Sequence, residues 1–179
     1  MMKKILLTTT LAALACSSSL TWAAASGEGQ VNFTGEILDA ACEVVNSQSS
    51  PLAVDLGKVS KTAFTGVGST TNITSFFLQL KNCPASVTTA SIKFGGDADS
   101  NNASVLALTG DTGKASGVGI QLVDADGTPL DLYTASADYA LQTGTATNNL
   151  EFGARYIQTG AAVTAGTANG SSTFTVTYN

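Results

Sequence analysis

Nucleophilic catalysis by serine or cysteine needs a base within hydrogen-bonding reach, most often an imidazole, and this sequence contains no histidine. Carboxylate pairs carry acid–base chemistry in other settings. Here Asp97, Asp99, Asp111, Asp124 and Asp126 are scattered beside turn signals, where carboxylates solvate loops. Asp124-Ala125-Asp126-Gly127 resembles the opening of a calcium loop but lacks the third acidic position and the distal bidentate glutamate, so a tight turn is expected. No glycine-rich phosphate loop follows a strand-like segment. Arg155, the sole arginine, alternates with apolar residues and is expected to lay its stem along a sheet and pair with an acidic neighbour. The expectation is a chain that is not an enzyme and takes no cofactor.

The remaining reactive groups are the cysteines Cys16, Cys42 and Cys83. Cys16 belongs to a leader: Lys3 and Lys4 precede an apolar run at residues 5–15, and Ala23-Ala24-Ala25 supplies small residues for a signal peptidase. Residues 1–25 are read as that leader, cut after Ala25 or alternatively after Ala23. A lipoprotein reading is weaker, because Leu14 sits one place from where a lipobox wants it before Cys16. Export leaves Cys42 and Cys83 in a compartment that permits a disulfide, the alternative being two buried free thiols. Two isolated cysteines without histidine cannot build a four-ligand zinc site.

Of the 8 basic residues, Lys3 and Lys4 leave with the leader, and the rest face 13 acidic ones, a net charge of 6 − 13 = −7. That balance argues against nucleic acid and anionic membrane surfaces, which select basic patches. No second apolar stretch reaches spanning length, so no membrane insertion is expected. The remaining chain of about 150 residues suits one domain with one core.

The elements follow from a period of two. Apolar residues alternate at Val31, Phe33, Ile37; at Leu52, Val54, Leu56; at Phe76, Leu78, Leu80; and at Ile92, Phe94. They continue at Leu106, Leu108; Val118, Ile120, Leu122; Leu130, Leu132; Leu150, Phe152, Ala154, Tyr156; and Phe174, Val176, Tyr178. Turn-rich pieces separate them, with Asp126-Gly127 placed for a tight hairpin. Many short strands at such spacing predict an all-β sandwich. The triplets beginning at Asn32, Asn72, Asn102 and Asn169 are formal glycosylation sequons, expected by chance in a chain this rich in Asn, Ser and Thr.

Both ends are unusual. The last alternating run ends at Tyr178-Asn179, where a sandwich of this size would place another strand beside it. Past the leader, an arm carries Val31, Phe33, Gly35 and Ile37 on one face. Gly35 there marks a close approach by another backbone or a bulky side chain. Such an arm either pairs within its own domain or supplies the missing strand of a neighbour.

The order Gly29…Val31-Asn32-Phe33-Thr34-Gly35-Glu36-Ile37…Ala40-Ala41-Cys42, followed by Cys83, resembles the start of type 1 fimbrial major subunits, the chaperone–usher pilins. Val118-Gly119-Ile120-Gln121-Leu122 and Phe152-Gly153-Ala154-Arg155-Tyr156 are similar to later segments of that family. The C-terminal pattern of Gly166, Phe174, Val176 and penultimate Tyr178 matches as well. The resemblance implies an incomplete immunoglobulin-like β-sandwich lacking its final strand. Residues 26–38 would be a donor-strand arm and residues 39–179 the pilin domain. It also implies a groove and chaperone contact at Gly166, Phe174, Val176 and Tyr178, with Val31, Phe33, Gly35 and Ile37 as the donor face. The implied partners are identical or related pilin subunits, a periplasmic pilus chaperone and an outer-membrane usher. The product would be an adhesive extracellular fimbria reached through the periplasm.

Two other functions compete with the repeating fimbrial subunit. A minor adaptor or anchor subunit would share the groove but differ in abundance. A monomeric secreted carbohydrate-binding β-domain would fold its arm into its own sheet.

Overall fold

A computed structural model describes residues 30–35, 37, 41–110 and 112–179. The leader with Cys16, and with it the expected cleavage sites, lies outside the described residues. Two compact units divide the chain, residues 1–36 and residues 37–179. In the first, residues 30–35 carry no strand pairing, and Gln30 Nε2 donates to Asn32 Oδ1 at 2.7 Å.

Among its described residues the second unit is all-β apart from one 3-10 turn at Lys61–Ala63. Its strands are β1 (Glu43–Val44), β2 (Thr74–Lys81), β3 (Thr89–Gly95), β4 (Val118–Asp124), β5 (Pro129–Leu130), β6 (Tyr139–Ala140), β7 (Asn148–Gln158) and β8 (Thr173–Tyr178). They form a five-stranded sheet ordered β1-β2-β7-β4-β5 and a three-stranded sheet ordered β6-β3-β8. Every strand pair is antiparallel.

Burial explains the layering. Strand β7 lies between β2 and β4; its Leu150, Phe152, Ala154 and Tyr156 alternate into the core, while Glu151 and Arg155 on the other face are half-buried. On its outer face Ile73 and Val123 close over Gly153: an added Cβ there would lie 2.4 Å from Ile73 Cγ2 and 2.8 Å from Val123 Cγ2. The edge strand β8 alternates as well, with Phe174, Val176 and Tyr178 half-buried and Thr173, Thr175 and Thr177 exposed. Between the sheets sits an aromatic cluster in which Phe94 and Phe152 meet edge to face with centroids 5.1 Å apart. Phe76, Tyr139 and Phe174 pack around that pair.

The expected hairpin joins β4 to β5. Gly127 takes φ 84°, and the Asp126 carboxylate accepts from the Thr128 amide at 2.8 Å, so this acidic run does turn chemistry. The bond from Thr128 also holds the Asp126 carboxyl below its ordinary value. Asp124 is occupied as well, accepting from the Tyr139 hydroxyl and the Ala137 amide.

Some expected strands form no ladder. Residues 51–57 form no strand, and Leu106 makes only isolated bridges to Ala98 and Ile120. Strands require a neighbouring edge, and among the described residues none pairs with 51–57. Arg155 does not pair with an acid; its Nε donates to Gln121 Oε1 at 2.8 Å on the adjacent strand.

Candidate functional site

Strand β8 is hydrogen-bonded to β3 and, among the described residues, to no other strand. Its free edge can be worked out residue by residue. Thr89 and Asn179 exchange both backbone bonds, at 3.1 and 3.0 Å. In an antiparallel ladder bonded and non-bonded pairs alternate, so Ser91–Thr177, Lys93–Thr175 and Gly95–Thr173 are bonded. The pairs Ala90–Tyr178, Ile92–Val176 and Phe94–Phe174 are not. The opposite side of β3 agrees, because the Ile92 and Phe94 carbonyls accept from Ser136 and Tyr133. The N–H and C=O groups of Phe174, Val176 and Tyr178 therefore point outward along an open edge, while their side chains face the core.

Across from this edge runs segment 51–57, with Val54 and Leu56 half-buried and Leu52 exposed. Between the two lies an open groove of about 880 Å³. Leu78, Phe94, Leu106, Ile120 and Leu122, all from the buried core, reach its floor. Among the described residues, Asp55 is the only charged one lining it. An apolar slot flanked by unpaired backbone on both sides is shaped for an extended peptide carrying apolar residues at alternate positions.

Each end of the groove is fixed by a tyrosine. At one end the Tyr178 hydroxyl donates to the Cys42 carbonyl at 3.4 Å, and Cys42 is disulfide-bonded to Cys83, 41 residues later. Burial raises the Tyr178 phenol above its ordinary value, and its bond to Cys42 partly opposes that. At the other end the Tyr156 hydroxyl donates to the Ala168 carbonyl at 2.8 Å. Burial, and then the nearby Asp55 carboxylate, raises the Tyr156 phenol.

The expected site residues divide into three groups. Phe174, Val176 and Tyr178 line the groove together, and the Cys42–Cys83 bridge forms, with Cys42 at its margin. Val31, Phe33 and Ile37 are exposed, Phe33 at 92% and Ile37 at 96%, and an added Cβ on Gly35 would meet nothing within 4 Å. Gly166 is elsewhere: it precedes β8, is absent from the groove lining, and crosses the 113–115 backbone so closely that an added Cβ would lie 2.5 Å from Ala115 N, Gly113 O and Lys114 C. The residues that sequence reasoning missed are the rim 51–57 and the stretch 168–172. The alternation at Leu52, Val54 and Leu56 was the available signal for the rim.

A family model described as "Fimbrial protein" matches residues 31–179. The type-1 fimbrial protein A chain of Salmonella typhi is 38% identical over 188 residues, covering 99% of this chain and 100% of that one. Among solved structures, a Burkholderia pseudomallei antigen and type I fimbria protein shares 42% identity, with TM-score 0.59 over 84% of this chain and 97% of its own. The P pilus rod subunit PapA shares the fold at 23% identity, with TM-score 0.63 over 78% of this chain and 100% of its own.

Proposed function

The chain belongs to the fimbrial protein family and is a structural pilin subunit, and from that premise we propose that it is the repeating unit of an adhesive surface fimbria, joined by strand donation. In this reading the donor strand is residues 26–38 of one copy and the acceptor is the groove of the next. The observation that carries it is the open edge of β8, where Phe174, Val176 and Tyr178 offer six backbone groups above an apolar floor.

The dimensions support it. Residues 31–37 extended at about 3.3 Å each reach some 20 Å, close to the span of the six-residue β8. Val31, Phe33 and Ile37 would enter a groove lined by Leu and Phe, each contributing about 1.5–3 kcal/mol if fully buried. A chain that both donates and accepts makes a head-to-tail contact, which builds a filament where successive copies do not close into a ring.

An unpaired edge over an apolar groove is also an aggregation hazard. The same slot suits a strand lent by a periplasmic chaperone before an outer-membrane usher exchanges it for the next subunit's arm. Adhesion by the finished extracellular fibre follows from this role. Deleting residues 26–35 tests the reading: cells making only that variant are expected to assemble no fibres by electron microscopy while retaining the subunit. Fibres of normal length would refute it.

A further inference from the structure

Asn169-Gly170 is the one place in the sequence where an asparagine precedes a glycine, and both residues line the groove and are exposed. Glycine brings no side chain to shield its amide nitrogen, and its backbone turns freely toward a neighbouring carbonyl carbon. Neither the Asn169 side-chain amide nor the Gly170 N–H is hydrogen-bonded to a described residue, whereas the Asn148 amide is tied to Gln142 and Leu80. The fold also keeps the glycine in place: an added Cβ at 170 would lie 2.5 Å from Cδ1 of Ile120, a buried residue of the groove floor. The related pair Asp126-Gly127 is not free in this way, because the Asp126 carboxylate accepts from the Thr128 amide.

The chemistry open to this pair needs only water. The Gly170 nitrogen gives its proton to solvent base and bonds to the side-chain carbonyl carbon of Asn169. That carbon's bond to Nδ2 breaks, and ammonia leaves with a proton. Water then opens the cyclic imide to aspartate or isoaspartate, so an uncharged amide becomes a carboxylate without any oxidation or reduction. The new charge falls at a sensitive place. Tyr156 donates to the Ala168 carbonyl, next to Asn169, and feels the carboxylate of Asp55, the one charged residue lining the groove among the described residues. The arm is acidic too: residues 26–38 contain Glu28 and Glu36 and no Lys or Arg. Isoaspartate also adds a methylene to the main chain between Ala168 and Ser172, whose hydroxyl donates to the Gly95 carbonyl at 2.8 Å just ahead of β8.

We propose that Asn169-Gly170 is a self-modification site of the groove: Asn169 deamidates while the groove is open, and the product takes up the arm of a second copy more slowly. Subunits left unjoined are thereby retired, whereas a seated arm covers the pair and stops the reaction. The inference rests on the strand-donation reading above and adds to it a time limit on the free subunit. A like charge at an exposed rim changes the equilibrium little but slows encounter, and salt screens the effect.

The experiment ages the mature chain in mildly alkaline buffer, with and without excess peptide of residues 26–38, and maps each asparagine by peptide mass spectrometry. Asn169 is expected to convert about tenfold faster than the exposed Asn72, where the β-branched Ile73 crowds the attacking nitrogen, and to be spared when peptide is bound. At low salt the aged chain, and fresh Asn169→Asp, should take up a labelled arm peptide severalfold more slowly than the fresh natural chain. Aged Asn169→Gln should keep the fresh rate. Conversion no faster than at Asn72, conversion unaffected by bound peptide, or a fresh uptake rate in the aged natural chain would overturn the proposal while leaving strand donation intact. If the fresh chain takes up no peptide at all, strand donation falls and this inference with it.

Discussion

The Tyr178 hydroxyl and the Cys42 carbonyl oxygen lie 3.4 Å apart, so the last strand of the sandwich and the cysteine anchoring the opposite margin meet at one end of the groove. The Cys42–Cys83 bridge thus does more than shorten the unfolded chain. It holds in place the acceptor that Tyr178 uses, and with it the spacing of the two rims.

Cys42→Ser is expected to destabilise the folded subunit by about 4 kcal/mol on the chain-entropy model for a loop of this length. Thermal unfolding with and without reductant measures the effect, and protease sensitivity should rise in parallel. A melting temperature unchanged by the substitution would show that the bridge contributes nothing.

Alkaline pH should weaken the fold. Burial raises the Tyr139 phenol, helped by the Asp124 carboxylate beside it, and burial also raises Tyr156 and Tyr178 above the ordinary 10.0. Above pH 10 the unfolded phenols release their protons while the folded ones keep them, so the unfolded state binds fewer protons and stability falls as pH rises. The stabilisation is complete below that pH and is lost as the folded phenols titrate. Melting temperatures across the alkaline range should decline, with a shallower slope for Tyr139→Phe. Identical slopes for the two proteins would contradict the role given to Tyr139.

Gly166→Ala separates fold from groove. The new methyl would lie 2.5 Å from three backbone atoms of residues 113–115, none of which can move away as a flexible side chain would. A loss of about 1–3 kcal/mol is expected from such overpacking. Because Gly166 lines no part of the groove, the folded fraction should take up arm peptide at the natural rate. Slower uptake at unchanged stability would instead assign Gly166 to the groove.

Periodicity made β2, β7 and β8 legible, because alternating apolar residues report which face is buried. It could not report whether an edge has a neighbour. Leu52, Val54 and Leu56 alternate like the residues of β8, yet segment 51–57 pairs with no described strand, and the gap between them is a property of three-dimensional placement. Gly166 shows the same limit. Its smallness was visible, but the 113–115 backbone that demands it comes from about 50 residues earlier. The two-residue strand β6 is too short for any pattern to mark, whereas the equally short β5 was legible through the Asp126-Gly127 turn before it.

Phe33→Asp isolates the donor side. Phe33 is 92% exposed, so the substitution removes no packing from the subunit, and its stability should stay within about 0.5 kcal/mol of the natural chain. In a joint between copies the same position would place a carboxylate against Leu and Phe side chains around a groove whose one charged lining residue, Asp55, is also acidic. Burying an unpaired charge there costs several kcal/mol, far more than the apolar contact it replaces. Fibre assembly is therefore expected to stop while the subunit accumulates folded, as read by electron microscopy alongside thermal unfolding. Fibres built at natural abundance from the Phe33→Asp chain would place residue 33 outside the joint, and the groove would then need a different occupant.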